Sequence, residues 1–162
     1  MEVLKVLGQR RDISTLFALE AAAEDPSLVV RRAALKSMIR YGPDIDHVGR
    51  DRMYIELLAD VDTALRDLAI RGCFERIDSG NARVRRGVLK QVNAAIQWRS
   101  RHSAMKVLQS ISGSDVDEAI IKAVRNEQNA IVRRLAVEVV GSRKIAAAAP
   151  LLNTVRTQDL DE

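Results

Sequence analysis

A chain of 162 residues, 47% apolar and 30% charged, has the material for one domain with one buried core and a well-solvated surface. Its 3% aromatic content argues against an aromatic-lined pocket, and its single cysteine, Cys73, excludes an internal disulfide and a cysteine metal cluster. The net charge of +4 is modest, but its distribution along the chain is uneven.

In chain order, residues 1–12 (MEVLKVLGQRRD) read as a helix ending near Gly8. An acid at position 2 and a short apolar run exclude a secretory signal there, and no stretch reaches the roughly 18 consecutive apolar residues of a membrane span. With the lone cysteine, this gives the expectation of a soluble, cytoplasmic protein. Residues 12–25 form the next helix, which Asp25 and Pro26 break. A second helix follows near 28–41, with Val30, Ala34, Met38 and Tyr41 on one face and Arg32, Lys36 and Arg40 on another. The same pairing is expected for 51–60 with 63–76, for 81–96 with 100–111, and for 116–127 with 130–141. A last helix is expected over 144–157, kinked or delayed by Pro150.

These pairs share a signature. RRAAL at 31–35 returns as RDLAI at 66–70, RHSAM at 101–105 and RRLAV at 133–137. The arginines are spaced 35, 35 and 32 residues apart, and the alanines fall at 34, 69, 104 and 136. Six residues before each arginine stand Asp25, Asp60, Ala95 and Glu127, so three of the four are acids. A period of this length marks helical hairpins that bury their apolar stripes only by stacking on one another.

DPSLVVRRAAL, NEQNAIVRRLAV and, less closely, DVDTALRDLAI resemble the HEAT repeat family in its short bacterial form. The resemblance covers essentially the whole chain. The third unit departs from the pattern most, with Ala95 in the place of the acid. What the resemblance implies is an all-α, right-handed α-solenoid of about four hairpins with an extra helix at each end, second helices lining the concave side. It also implies that Arg31, Arg66 and Arg133 pair with Asp25, Asp60 and Glu127 of the same or a neighbouring unit, as an internal ladder. The chain begins and ends out of phase with its repeat, so either the end helices act as caps or the ends stack on further repeats or on a second copy.

The candidate binding residues follow from the second-helix polar stripes. These are Arg32/Lys36/Arg40, Asp67/Arg71/Glu75, His102/Lys106/Ser110 and Arg134/Glu138/Ser142. The contact set read from them is Arg32, Lys36, Arg40, Arg71, His102, Lys106 and Arg134. Between Asp78 and Asp115 there is no acid, and Arg83, Arg85, Arg86, Lys90, Arg99, Arg101 and Lys106 give this stretch a charge of +7. With Trp98, this block forms an accessory surface for an acidic partner or a phosphate backbone. No catalytic constellation, cofactor motif or metal-ligand spacing stands out, since His47 and His102 lie 55 residues apart and Cys73 reads as a small core residue. The expectation is a non-enzymatic scaffold without cofactor, binding a protein. Nucleic-acid binding through the basic block is the alternative, and DNA-glycosylase-like HEAT proteins are the remote enzymatic case.

Overall fold

The computed structural model describes residues 13–42, 46–148 and 150. The described residues form eight α-helices and no strand: α1 Ile13–Ala23, α2 Leu28–Arg40, α3 Val48–Leu57, α4 Thr63–Asp78, α5 Ala82–Ala94, α6 Trp98–Leu108, α7 Ser114–Asn126 and α8 Ala130–Arg143, followed by a 3-10 turn at Ala146–Ala148. The helix expected at residues 1–12 lies outside the described residues. So does most of the one expected over 144–157, where the described part is left-handed at Lys144 (φ 54°) and then turns as a 3-10 segment.

Short polar side chains set the helix starts. Asp62 accepts the N–H of Leu65, Asn81 that of Val84, and Asn129 those of Ile131 and Val132, each satisfying donors that a helix leaves open in its first turn. His47 does the same for α3 through Nδ1, which accepts the N–H of Arg50. At the end of α4, Gly80 adopts φ 88°, so that its N–H reaches Ile77 O and the N–H of Asn81 reaches Arg76 O. This double closure needs a left-handed residue, which glycine supplies without a Cβ clash.

Consecutive helices pack as hairpins: α1 with α2, α3 with α4, α5 with α6, and α7 with α8. The second helices also pack in succession, α2 on α4, α4 on α6 and α6 on α8, and the first helices do likewise from α1 to α7. The reason lies in the alanines. Ala34, Ala69, Ala104 and Ala136 are all fully buried, and their lack of bulk lets neighbouring second helices approach closely. Around them one continuous apolar core runs through all four hairpins, from Leu19, Leu35 and Met38 through Leu65, Cys73 and Val88 to Met105, Ile120 and Val139. Burial of a Leu, Met or Val side chain contributes roughly 1.5–3 kcal/mol, and no hairpin could cover its own stripe alone.

Candidate functional site

Each of the four turns inside a hairpin is closed in the same way. The Nη1 of one arginine reaches back six residues to a backbone carbonyl: Arg31 to Asp25 O at 2.9 Å, Arg66 to Asp60 O at 2.7 Å, Arg101 to Ala95 O at 2.8 Å and Arg133 to Glu127 O at 3.1 Å. In the first three, the same nitrogen also donates to the next carbonyl, of Pro26, Val61 and Ile96. The acids of these turns have a different local task. Asp25, Asp60 and Glu127 accept the N–H two residues on, from Ser27, Asp62 and Asn129, at 2.7, 2.7 and 2.8 Å. The common acceptor of the four arginines is thus a carbonyl rather than a carboxylate. That is why Ala95 is compatible with the third turn: a carbonyl is present whatever the side chain.

Arginines also join one hairpin to the next. Arg32 grips Asp62 with two bonds, Nε at 3.2 Å and Nη2 at 2.5 Å. That hydrogen bond, with the N–H of Leu65, holds the Asp62 carboxyl below its ordinary range. Arg32 was read from the sequence as a contact residue, yet its fork is already engaged by the next turn. Arg101 holds Glu127 in the same manner, at 2.7 Å from both Nε and Nη2. Burial resists ionisation of Glu127, but the bonds from Arg101 and from the N–H of Asn129 outweigh it and lower its pKa.

At the opposite ends of the helices, Asp51 is buried and takes Arg76 Nε at 2.8 Å, Arg83 Nη1 at 2.8 Å and Asn81 Nδ2 at 3.0 Å. Arg83 also reaches Asp46 at 2.9 Å, and this bond comes first in lowering the Asp46 pKa. Arg85 binds Asp115 at 2.9 and 2.5 Å and the carbonyl of Ser112 at 2.8 Å. Arg143 binds Asp117 at 2.7 Å and the carbonyls of Leu108 and Ile111.

These pairs redraw the basic block. Arg83, Arg85 and Arg101 are neutralised by acids that lie outside the 79–114 stretch. Arg86, Lys90, Arg99 and Lys106 are exposed, and among the described residues no carboxylate pairs with them. The structural acids Asp51, Asp62, Asp115 and Asp117, with Arg76 and Arg143, did not stand out in the sequence. The signal that could have found them is opposite charge about one repeat apart, because partners 25 to 37 residues apart in sequence meet in adjacent hairpins.

His102 is half-buried on α6. Its ring lies edge-on to Trp98, with centroids 6.4 Å apart, and Arg99 sits over the Trp98 ring at 4.9 Å. Partial burial lowers the His102 pKa, and the charges of Lys106, Arg66 and Arg134 lower it further. Those three cations come from α6, α4 and α8, so charges on three successive second helices act on one imidazole. Lys36 and Arg40 are exposed on α2. Arg71 leans on Glu75 at 2.8 Å within α4, and Arg134 lies 3.5 Å from Glu138 within α8, both at exposed positions where such pairs contribute little.

Cys73 is fully buried, and burial followed by the nearby charge of Asp51 pushes its thiol well above the ordinary range, away from nucleophilic character. Among the described residues, no three His, Cys, Asp or Glu side chains are grouped to hold a metal ion, and no helix is long and apolar enough to cross a membrane. No protein-family model matches the chain, and no curated protein shows significant similarity to it.

Proposed function

We propose that this chain is a non-enzymatic scaffold, a right-handed α-solenoid of HEAT-like hairpins that binds another protein across the polar face of its second helices. The observation that carries this reading is the convergence at His102. The charges of Lys106, Arg66 and Arg134, from three consecutive second helices, all act on one imidazole, and Trp98 lies edge-on to it with Arg99 over the indole. A half-buried tryptophan with an arginine over its ring has the composition of an interface anchor. The succession of second-helix contacts and the buried alanine row support the solenoid reading, since both give a continuous side built from one helix of every hairpin. The cationic balance of Lys36, Arg40, Arg66, Arg99 and Lys106 favours a partner with an acidic surface.

The nucleic-acid alternative draws on the 79–114 block, but Arg83, Arg85 and Arg101 already hold carboxylates. Fewer free cations mean fewer phosphates neutralised and weaker binding to a duplex. The test compares the wild-type chain with the triple variant K36E/R40E/K106E, using nuclease-treated lysate of the native source and quantitative mass spectrometry. The expected result is a protein captured by the wild type, lost from the triple variant and indifferent to nuclease, with both chains equally helical and equally heat-stable. Capture that the triple variant retains, or that nuclease abolishes, overturns the reading.

A further inference from the structure

At the joint between the first and second hairpins, two helices compete for one nitrogen. His47 stands just before α3, and its Nδ1 accepts the N–H of Arg50 at 3.2 Å, closing the first turn of that helix. The same Nδ1 lies 2.9 Å from Oε1 of Glu20, which comes from α1. The two contacts require opposite states of the imidazole, because Nδ1 carries either a lone pair or a proton. With the lone pair it caps α3 but meets the lone pairs of a carboxylate oxygen. With the proton it donates to Glu20, and the N–H of Arg50 loses its acceptor.

The surroundings do not relieve this competition. Glu20 Oε1 is buried and takes no hydrogen bond from any other described residue. The imidazole is buried too, with the Phe17 ring edge-on to it at 4.9 Å between centroids. A Cβ added at Gly49 would collide with the Glu20 carboxylate, so the acid lies directly against the start of α3. The other charged groups at this end of α3 are engaged elsewhere. Arg76 of α4 and Arg83 of α5 hold both Asp46 and Asp51, and Arg50 turns its Nη1 to the carbonyl of Gly42. Among the described residues, Glu20 is the acid within ion-pair distance of His47.

We propose that His47 is a proton-operated latch between the first two hairpins. Neutral, with its lone pair on Nδ1, it caps α3, and the Glu20 side chain, 19% exposed, turns toward water. Protonated on Nδ1, it releases the cap and holds Glu20 through a charge-assisted hydrogen bond. One proton taken from solvent thus exchanges a bond inside the second hairpin for a bond between the second hairpin and the first. Both residues belong to first helices and their caps, so the latch does not rest on the second-helix binding face.

The test follows both bonds by NMR in the full chain, at about pH 8 and about pH 5.5, on either side of the range in which histidines ordinarily change charge. In the wild type, the Arg50 amide should exchange with solvent at least about tenfold faster at the lower pH, after correction for the intrinsic rate. A slowly exchanging imidazolium Nδ1 proton should appear at that pH only. His47→Asn keeps a capping oxygen that takes up no proton, so its Arg50 amide should stay equally protected at both pH values. Glu20→Ala removes the acceptor and should abolish the Nδ1 proton signal.

A wild-type Arg50 amide equally protected at both pH values overturns the latch. So does an Nδ1 proton already present at the higher pH, the mark of a fixed ion pair, or one that survives in Glu20→Ala. A loss of Arg50 protection in His47→Asn as large as in the wild type assigns the change to another group and overturns it as well.

Discussion

Arg76 and Asp51 form an ion pair away from solvent, Nε to Oδ1 at 2.8 Å, with side-chain exposures of 5% and 0%. Asn81 and Arg83 approach the other carboxylate oxygen, so one buried acid ties the second hairpin to the third. Truncating it takes the buried acid from a buried guanidinium, whose other carboxylate partner, Asp46, is exposed and lies 3.3 Å away. Asp51→Ala is therefore expected to cost about 3–5 kcal/mol of stability, the usual range for breaking a buried pair from one side. Urea unfolding followed by circular dichroism measures it, and a loss under about 1 kcal/mol would show that the joint is held by packing instead.

The acid limb of the stability profile should carry the signature of Glu127. Its folded pKa lies below the ordinary value of 4.5, burial working against the bonds from Arg101 and Asn129. A depressed carboxylate stabilises the fold fully above its unfolded pKa, and that contribution disappears as the pH falls through the folded value. Asp62 and Asp115, lowered first by Arg32 and Arg85, act in the same direction. Denaturation midpoints between pH 6 and pH 3 should therefore fall toward acid, and Glu127→Gln should be less stable at pH 6 with a shallower slope. Parallel profiles for the two chains would contradict this.

His102 offers a spectroscopic handle on the second-helix face. Its pKa is held below 6.5 by partial burial first, then by Lys106, Arg66 and Arg134. Lys106→Gln and Arg134→Gln should each raise it toward 6.5, read from the imidazole carbon-bound proton by NMR titration. The sign for stability follows from linkage: the neutral form fits the fold, so stability present above about pH 6.5 declines as the pH drops toward the folded pKa. An unchanged titration in both variants would place those cations elsewhere.

At Gly72, α4 lies close against Tyr54 of α3. A methyl group there would lie 2.8 Å from the ring of Tyr54, which is itself buried. The ring has no open space to move into, so Gly72→Ala is expected to destabilise by about 1–3 kcal/mol despite the better helix propensity of alanine. Gly49→Ala is the matched control, because the atom it meets is the end of the flexible Glu20 side chain. Thermal melts that rank Gly49→Ala below Gly72→Ala would reverse the argument.

Helix content and the recurrence of the Arg–Ala pattern were readable in the sequence because both are local. A helix is set by spacing of three and four, and the alanines at 34, 69, 104 and 136 announce close contact by their size alone. The acceptor of Arg31, Arg66, Arg101 and Arg133 was not readable, since it is a carbonyl and every residue has one. Nor was the neutralisation of Arg83 and Arg85. Counting charge along 79–114 treats neighbours in sequence as neighbours in space, whereas their partners Asp51 and Asp115 lie about one repeat away. The partner of Arg32 was hidden for the same reason: its carboxylate, Asp62, belongs to the next turn.

The carbonyl closure has an evolutionary corollary. A turn fastened by its own arginine to its own main chain keeps that fastening whatever side chain stands six positions back. That residue is therefore free to drift, and the chain can try an acid or an alanine there without losing the hairpin. The third turn, with Ala95 at that position, is closed by the same arginine bond as the other three. Fastening each turn to its main chain lets the joints of a stack of similar hairpins differ in the pairs that hold them, Arg32 with Asp62 at one and Arg101 with Glu127 at another.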